Sequence, residues 1–441
     1  MKITGRVVAV VLSLICGFVG FSAAAATMDR ATVSRDVLQG WYKLVLELVR
    51  HTPTYSPPVA SRSFAYLGIA AFESVASGAP QLHTLAGQVH GLTTLPKREP
   101  DKAYDEAVIL QATLATSAQS FFSNTGPTGQ RAMVALERQL QNKVAEGVSR
   151  TVARRSEAFG KLVAAHILKY SLNDGGAVVE NMGFPMDYQP QVGPGKWVPT
   201  SLVIQQQKPL LPGWGKNRSF AMPSGASCPL PPPPEYSEDK ASEFYKQALE
   251  VFQTKQNLTP EQRDVARFWS DDPMLSSTPP GHWIAIALSI FERDNVAFDK
   301  SVDVLARIGI AEADAFIGCW NTKFEVNLLR PITYIRKFLD PKWESLIITP
   351  PFPEYPSGHS TQSGAAASVM TQAFGENFSF DDASHERDGL NKRHYSSFWA
   401  AAKEAALSRL YGGIHFRAAM EQGLEQGRCI GGYVNALKTR N

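Results

Sequence analysis

The sequence has little cysteine, little net charge and little of the alternation that marks β-strands. Four cysteines among 441 residues are too few for a disulfide framework, and spacing alone leaves open whether any of Cys228, Cys319 and Cys429 are bridged. A formal net charge of +3 gives no reason to expect nucleic acid or an anionic membrane surface as a partner. After the N-terminus, no segment has the roughly 20 uninterrupted apolar residues that a membrane span requires. Any electrostatic function must therefore be local.

The first 26 residues have the pattern of an export signal. Lys2 and Arg6 precede an apolar run that reaches about Phe21, and the small-residue stretch AAAA follows. A basic start, an apolar centre and small residues in this order are typical of a cleavable signal peptide. A membrane anchor is the alternative, but the run is short and no basic flank follows it. We expect residues 1–26 to be removed and the mature protein to be periplasmic or secreted, without a stable membrane span.

Most of the remaining chain is patterned as α-helix. Between Ala31 and Val49, for example, apolar residues recur every three or four positions. Besides an alanine-rich stretch that follows Pro57 and Pro58, the pattern predicts helices at 31–49, 101–121, 126–149, 152–173, 239–256, 260–270, 281–297, 301–319, 320–339, 360–374, 396–410 and 416–437. The predicted fold class is all-α, a helical bundle.

Residues 176–237 interrupt this pattern, because their many prolines and glycines cannot form regular helix. A flexible linker is one interpretation. The segment also carries large aromatic residues such as Trp197, Trp214 and Phe220, which are costly to leave in water. We therefore predict an ordered wrap over the helices. It would connect an N-terminal helical half, residues 27–175, to a C-terminal half, residues 238–441.

Three segments of the C-terminal half carry residues suited to binding an oxyanion. In CWNTKFEVNLLRP, Lys323 and Arg330 are seven residues apart, so an unbroken helix would present both cations on one face. Pro331 would then end or kink that helix. Two cations on one face repel each other, and an anion between them would explain the pair. Two solvated surface charges are the alternative.

The second segment is PSGHS at 356–360. Ser357 is a good N-cap candidate, and Gly358 allows close approach of a ligand to the backbone. The first N–H groups of the helix that follows would form an oxyanion site with His359 beside it. An ordinary capped helix with a surface histidine is the alternative.

The third segment is LSRLYGGIHFRAAMEQG. Arg409 is predicted to end one helix, and His415 to lie near the start of the next, so that a Gly-Gly bend brings the two side chains together. Arginine offers a planar fork for oxyanions, and histidine can act as an acid, a base, a nucleophile or a metal ligand. A helix-end arginine and a packed histidine are the alternative.

Together, Lys-x6-Arg-Pro, Pro-Ser-Gly-His and Ser-Arg-x5-His resemble the three-part signature of the acid phosphatase/vanadium haloperoxidase superfamily. The resemblance is sharpest from about 310 to 425, and it implies a helical fold of two bundle-like halves around the anion. It implies a vanadate or phosphate site made by Lys323, Arg330, Ser357, Gly358 and Arg409. His415 would be the axial partner, and so the vanadium ligand if the anion is vanadate. His359 would be the acid/base residue, and His415, His359 and Lys323 would form the catalytic set.

The resemblance leaves two activities open. A haloperoxidase would use vanadate, hydrogen peroxide and a halide, with Lys323 polarising the peroxide, and could pass the product to small organic acceptors. A phosphatase would form a phosphohistidine at His415. Trp320 and Phe352 match aromatic positions near the presumed halide site of haloperoxidases, and packing is their alternative role. We therefore expect a haloperoxidase acting on iodide or bromide, with the phosphatase second and a non-catalytic periplasmic oxyanion binder third.

One position departs from the family pattern. Many members carry an aspartate four residues after the axial histidine, where this sequence has Ala419. Glu421 need not reach His415, and a backbone carbonyl could orient the imidazole instead. The GGIHF stretch is similar to that of bacterial iodide peroxidases.

The other histidines give weaker signals. His282 with the paired Asp271 and Asp272 is interpreted as a helix-starting turn with local caps rather than a metal site. The histidines without ligand spacing to any partner are His51, His83, His90, His166, His385 and His394.

Overall fold

The computed structural model describes residues 29–440, so the predicted signal peptide lies outside the described residues. Within this range the chain forms thirteen α-helices and one antiparallel pair of three-residue strands, and the all-α prediction is confirmed. The helices are α1 (Arg30–Arg50), α2 (Pro57–Ala76), α3 (Glu106–Phe121), α4 (Pro127–Ala145), α5 (Arg150–Ser171), α6 (Glu243–Gln256), α7 (Pro260–Phe268), α8 (Thr278–Arg293), α9 (Phe298–Val326), α10 (Pro331–Phe338), α11 (Gly358–Phe374), α12 (Phe398–Tyr411) and α13 (Arg417–Asn435), and the strands are β1 (Phe380–Asp382) and β2 (Arg393–Tyr395). None of the helices between residues 29 and 440 combines the length and the apolar character of a membrane span.

Helix α9 runs through the centre of the molecule, and glycines let its neighbours approach closely. A Cβ atom on Gly68 of α2 would lie 2.9 Å from the Cα atom of Ala306 in α9, and one on Gly309 would lie 2.9 Å from the Cα atom of Ala65. A Cβ atom on Gly427 of α13 would lie 2.1 Å from a backbone oxygen of α11. These contacts pack α2 and α9, and α11 and α13, backbone against backbone. They bring the turn before α11 next to the start of α13.

The segment 176–237 is ordered against the helices. Trp197, Trp214 and Phe220 are 5% exposed or less. The carboxylate of Asp314 in α9 accepts the backbone N–H groups of residues 220–222 at 2.7–2.9 Å. Because these aromatic rings are buried and the N–H groups of residues 220–222 bond to α9, the segment packs as part of the structure. The largest hydrophobic cluster extends from Val33 to Leu437, two smaller clusters accompany it, and the division of the chain at residues 175 and 237 stays a prediction.

A disulfide joins Cys228, near the end of this segment, to Cys429 in α13, a sequence separation of 201. Cys319 is buried in α9 with a free thiol. The sequence left this pairing open.

The predicted helix carrying both Lys323 and Arg330 is wrong. Helix α9 ends at Val326, and Asn327 follows in the left-handed region with φ 54°. The chain is then extended up to Arg330, which precedes Pro331 at the first position of α10. Asparagine tolerates the left-handed conformation. Proline favours a helix start because an N–H group at that position would have no partner within the helix. The two cations therefore come from the end of one helix and the start of another.

Candidate active site

His415 lies at the centre of a buried polar cluster. It is in the short link between α12 and α13, where Gly413 adopts φ 78° and turns the chain inward. Its Nε2 atom is 3.1 Å from Nη1 of Arg330, and its Nδ1 atom is 2.8 Å from Oε1 of Glu354. An arginine can only donate hydrogen bonds, so Nε2 must accept, and the proton of the neutral ring is on Nδ1. Burial, reinforced by Arg330, Lys323 and Arg409, lowers the pKa of His415 well below its usual value. The ring is therefore neutral, and its unprotonated Nε2 accepts from Arg330, a hydrogen bond that a ligand at this nitrogen would replace.

Glu354 is the residue that orients His415, and sequence reasoning missed it. One carboxylate oxygen accepts both the Nδ1–H of His415 and the backbone N–H of Phe416, each at 2.8 Å. The expectation that a backbone carbonyl could orient the ring is wrong. Ala419 instead packs against the turn, where its carbonyl accepts the backbone N–H of Ser357 at 3.0 Å. Glu421 lies 3.6 Å from Arg417, so it does not serve the imidazole.

Two buried arginines have donors that no group in residues 29–440 satisfies. Arg330 donates to the carbonyls of Phe352 and Ile414, which leaves Nη2 without a partner. Arg409 donates from Nη1 to the carbonyl of Trp269, which leaves Nε without one. Burial lowers the pKa of Arg330 to about 9 and that of Arg409 to about 10, so positive charge is costly at both positions. Unpaired buried cationic donors of this kind suit a multivalent oxyanion.

The Pro-Ser-Gly-His turn takes the predicted form. Ser357 is the N-cap of α11, and its Oγ accepts the backbone N–H of Ser360. Gly358 begins the helix, and a Cβ atom placed there would lie 3.6 Å from Trp320 and 3.8 Å from Phe316. The protein therefore leaves room above the first N–H groups, which have no partner within their own helix. This is the geometry of an anion site at a helix N-terminus.

His359 faces the same space from the first turn of α11. Its Nε2 atom is buried and has no hydrogen-bond partner among the described residues, although it lies 3.8 Å from Oδ2 of Asp271. Burial lowers the pKa of His359 well below its usual value, and Arg409 lowers it further. An anion between His359 and Arg409 would oppose that effect, because negative charge favours the protonated ring.

These groups meet at a cavity of about 350 Å³. Gly358, His359, Arg409 and His415 contribute to its wall. Trp320 and Phe352 also line it, with their ring centroids 4.8 Å apart. The indole N–H of Trp320 donates to the carbonyl of Leu210 at 3.1 Å, so the ring offers the cavity an apolar face. The halide-pocket role of the two aromatic residues stays a prediction.

Lys323 is completely buried beside the cavity, with its ammonium group turned toward the backbone. Nζ donates to the carbonyls of Pro353 and Glu354 at 3.0 and 2.9 Å, and also to that of Pro356. An ammonium group has three N–H bonds, so a contact with an oxyanion requires the release of one carbonyl. The predicted catalytic role of Lys323 stays a prediction. The structure adds a positioning role, because these carbonyls belong to the loop that carries Glu354.

We expect Lys323→Met to destabilise the protein by about 2–5 kcal/mol, because three buried carbonyls lose their shared donor. Chemical denaturation of the oxyanion-free protein measures this change. The control is Lys342→Met, at an exposed position, which should stay within about 0.5 kcal/mol of the original protein. Equal stability of the two variants would contradict the positioning role.

The sequence pattern indicated a locally capped turn for His282 with Asp271 and Asp272 and gave His385 no partner, whereas the structure pairs both histidines with Asp271. His282 lies in α8, with Nδ1 3.0 Å from Oδ1 of Asp271 and Nε2 2.8 Å from Oδ2 of Asp382. His385, between β1 and β2, places Nε2 3.2 Å from Oδ1 of Asp271. The adjacent carboxylates outweigh burial and raise the pKa of His282 to about 10 in this ion-free arrangement. Folding, not local spacing, brings these side chains together.

Comparison with known proteins identifies the fold and the family. The family model of the VCPO second helical-bundle domain matches residues 303–440. A crystal structure described as the first bacterial vanadium-dependent iodoperoxidase is 37% identical, covers 92% of this chain and 97% of its own, and superposes with a TM-score of 0.83. The chain belongs to the vanadium haloperoxidase family. The family predicted from the three motifs is confirmed.

More distant vanadium haloperoxidases share part of the sequence or the fold alone. The vanadium chloroperoxidase of Curvularia inaequalis is 25% identical over 220 residues, which is 36% of this chain and 36% of that protein. A holo-type bacterial vanadium-dependent chloroperoxidase is 16% identical, with a TM-score of 0.65 over 88% of this chain and 93% of that one. The match to the Curvularia protein thus spans about a third of its length.

Proposed function

We propose that this protein is a vanadate-dependent haloperoxidase that oxidises iodide or bromide with hydrogen peroxide to hypohalous acid. The observation that carries the proposal is the unprotonated Nε2 of His415, held between Glu354 and Arg330 at a cavity with unpaired arginine donors. The full-length similarity to a bacterial iodoperoxidase supports iodide as the first halide to test. Neither the phosphatase nor the non-catalytic binder is favoured by the comparisons.

The residues of the site fit vanadate, which is a tetrahedral oxyanion able to accept a nitrogen ligand. Arg330 and Arg409 would hold its oxygens through the donors that lack partners, and the N-terminus of α11 would add backbone N–H groups. His415 would supply the nitrogen ligand, with Glu354 holding the opposite side of the ring. When bound, vanadate supplies an electrophilic centre that activates hydrogen peroxide toward halide.

His359 is the group placed to move protons. The overall reaction, H₂O₂ + X⁻ + H⁺ → HOX + H₂O, transfers two electrons from the halide, X⁻, to peroxide as the O–O bond breaks. It consumes one proton, and one oxygen leaves as water. His359 lines the cavity and its buried Nε2 atom has no hydrogen-bond partner in the described chain, so it could accept a proton from incoming peroxide and return it to the departing oxygen.

The deciding experiment uses the purified protein freed of bound oxyanion. Iodide and bromide oxidation with hydrogen peroxide is measured with and without orthovanadate, and hydrolysis of a generic phosphate ester is measured in parallel. We expect halide oxidation that appears only with vanadate. Ester hydrolysis inhibited by vanadate, without halide oxidation, would assign the phosphatase. Vanadate binding without either activity would assign the oxyanion binder.

We also propose that the protein is exported to the periplasm or secreted. The basic and apolar pattern of residues 1–26 supports this, as does the Cys228–Cys429 disulfide, because such bonds persist in oxidising compartments. Fractionation of expressing cells, with the mass of the mature chain, tests the proposal. Full-length protein confined to the cytoplasm would contradict it.

A further inference from the structure

A second group of ligand-type side chains lies behind the oxyanion cavity. Asp271 precedes α8, His282 is in its second turn, and His385 is in the loop between β1 and β2. All three are buried, and one ligand atom of each lies within 4.8 Å of the others. The Oδ1 atom of Asp271 is 3.0 Å from His282 Nδ1 and 3.2 Å from His385 Nε2. Ligands about 2.0–2.1 Å from a tetrahedral metal ion lie roughly 3.3 Å apart, so the two distances to Asp271 are close to those of a metal site.

Both imidazoles have a carboxylate on the side away from Asp271. His282 Nε2 is 2.8 Å from Oδ2 of Asp382, and His385 Nδ1 is 3.0 Å from Oδ2 of Asp388. Metal-binding histidines usually donate their second N–H to such a carboxylate, which fixes the tautomer and the ring orientation. With those protons in place, His282 Nδ1 and His385 Nε2 turn their lone pairs toward Asp271.

The two histidines of the group can be reached from a cavity whose lining is separate from that of the oxyanion cavity. A cavity of about 520 Å³ is lined by His282 and His385, together with Ser276 and Ser384. A metal site needs an entry path as well as its ligands, and this cavity provides one. The ring of His282 stacks on Trp269 at a centroid distance of 4.4 Å, which holds the ligand in position.

We propose that Asp271, His282 and His385 bind a divalent first-row transition metal ion such as Zn²⁺. Two imidazoles and one carboxylate favour such an ion over Ca²⁺ or Mg²⁺, which prefer oxygen ligands. Three protein ligands leave a coordination position for water. The proposal does not depend on halide oxidation, since none of these residues is a proposed vanadate-binding or proton-transfer residue, although Asp271 also lines the oxyanion cavity.

The ion would hold the loop that supports the oxyanion cavity. Asp271 adopts φ 49°, a conformation that persists in a non-glycine residue when its surroundings fix it. Two positions earlier, the carbonyl of Trp269 accepts the hydrogen bond from Arg409. The second carboxylate oxygen of Asp271 is the atom 3.8 Å from His359 Nε2. A metal ion at Asp271 would thus fix two groups beside the oxyanion cavity. One is the Trp269 carbonyl that accepts from Arg409, and the other is the Asp271 carboxylate near His359.

The alternative is an ion-free network in which protons occupy the imidazole nitrogens and Asp271 accepts from both rings. Metal binding by the full mature chain separates the two arrangements. The protein is treated with a chelator, exchanged into chelator-free buffer of mildly alkaline pH, and titrated with Co²⁺ in a visible spectrophotometer. Zn²⁺ is titrated by calorimetry. We expect a Co²⁺ absorption band that saturates at one ion per chain and is displaced by Zn²⁺.

His385→Gln is the informative variant, because His385 is the least buried of the three ligands, at 8% exposed. We expect it to weaken Zn²⁺ binding at least 10-fold, and we expect Asp388→Asn to weaken it about 10–100-fold through the lost outer contact. His394→Gln is the control. Its side chain is 66% exposed and contacts Asp381, so binding should be unchanged. Circular dichroism checks that each variant is folded. Absence of a Co²⁺ band and of Zn²⁺ binding in the original protein would overturn the proposal, as would unchanged affinity in folded His385→Gln.

Discussion

His415→Ala is expected to abolish vanadate-dependent iodide oxidation and to weaken vanadate binding, because the imidazole of His415 is the group that lies between Glu354 and Arg330 in the described chain. Removing the imidazole also leaves the Glu354 carboxylate near two cations, Arg330 and Lys323, without the ring that lies between Glu354 and Arg330. The measurements are steady-state oxidation across a range of vanadate concentrations and the vanadate-induced rise in melting temperature. Both should disappear in this variant.

His359→Ala provides the contrast, since His359 is placed to transfer protons rather than to hold the cofactor. We expect this variant to keep its vanadate-induced thermal shift and to lose about 10²–10⁴ in turnover, the range typical of a general acid–base group. His51→Ala, at a side chain 68% exposed, is the control and should behave as the original protein. Steady turnover in His415→Ala would refute the assignment of His415 as the nitrogen ligand of vanadate.

The sequence predicted the parts of the site that lie within short segments. Ser357 caps α11 as its spacing indicates, and Gly412 and Gly413 bring His415 back toward Arg409. Backbone preference determines these features locally, because a serine N-cap and a glycine turn each act over three or four residues.

Features that depend on distant segments were missed or misplaced. Hydrophobic periodicity continued through Asn327, so it could not mark the end of α9, although an asparagine followed by a proline was an available signal. Local spacing pointed to Ala419 and Glu421 as the positions from which His415 could be oriented, whereas Glu354 comes from a loop 61 residues earlier in the chain. Asp271 and His385 are 114 residues apart, so no local ligand spacing exists to recognise.

Glu354 takes the orienting role that the family pattern gives to an aspartate at the position of Ala419, and burial changes its ionisation. Burial raises the pKa of this carboxyl to about 7, although Arg330 and Lys323 oppose the shift. Above that pH the group is ionised, and a carboxylate on Nδ1–H makes the opposite nitrogen, Nε2, a stronger ligand. Below it, the neutral acid supports the ring less strongly. The ionisation of Glu354 would therefore make the strength of the bond from His415 to vanadate depend on pH near neutrality.

Glu354→Ala should lower vanadate affinity about 10–100-fold, the usual cost of losing an outer partner of a metal-binding histidine. Glu354→Gln should lower it less, because its amide oxygen can still accept from His415 and Phe416 without the negative charge. Glu325→Gln, at an exposed position, is the control.

The pH profile separates charge from shape at this position. The ratio of the original protein's vanadate affinity to that of Glu354→Gln should rise as pH increases through about 7, because only the original carboxyl ionises there. Taking the ratio removes the ionisation of vanadate itself, which both proteins experience equally. A ratio that stays constant with pH would limit Glu354 to holding the ring in place. A rising ratio would show that Glu354, from its loop, supplies negative charge to the imidazole of His415. In many family members that charge would come from an aspartate on the helix that follows the histidine.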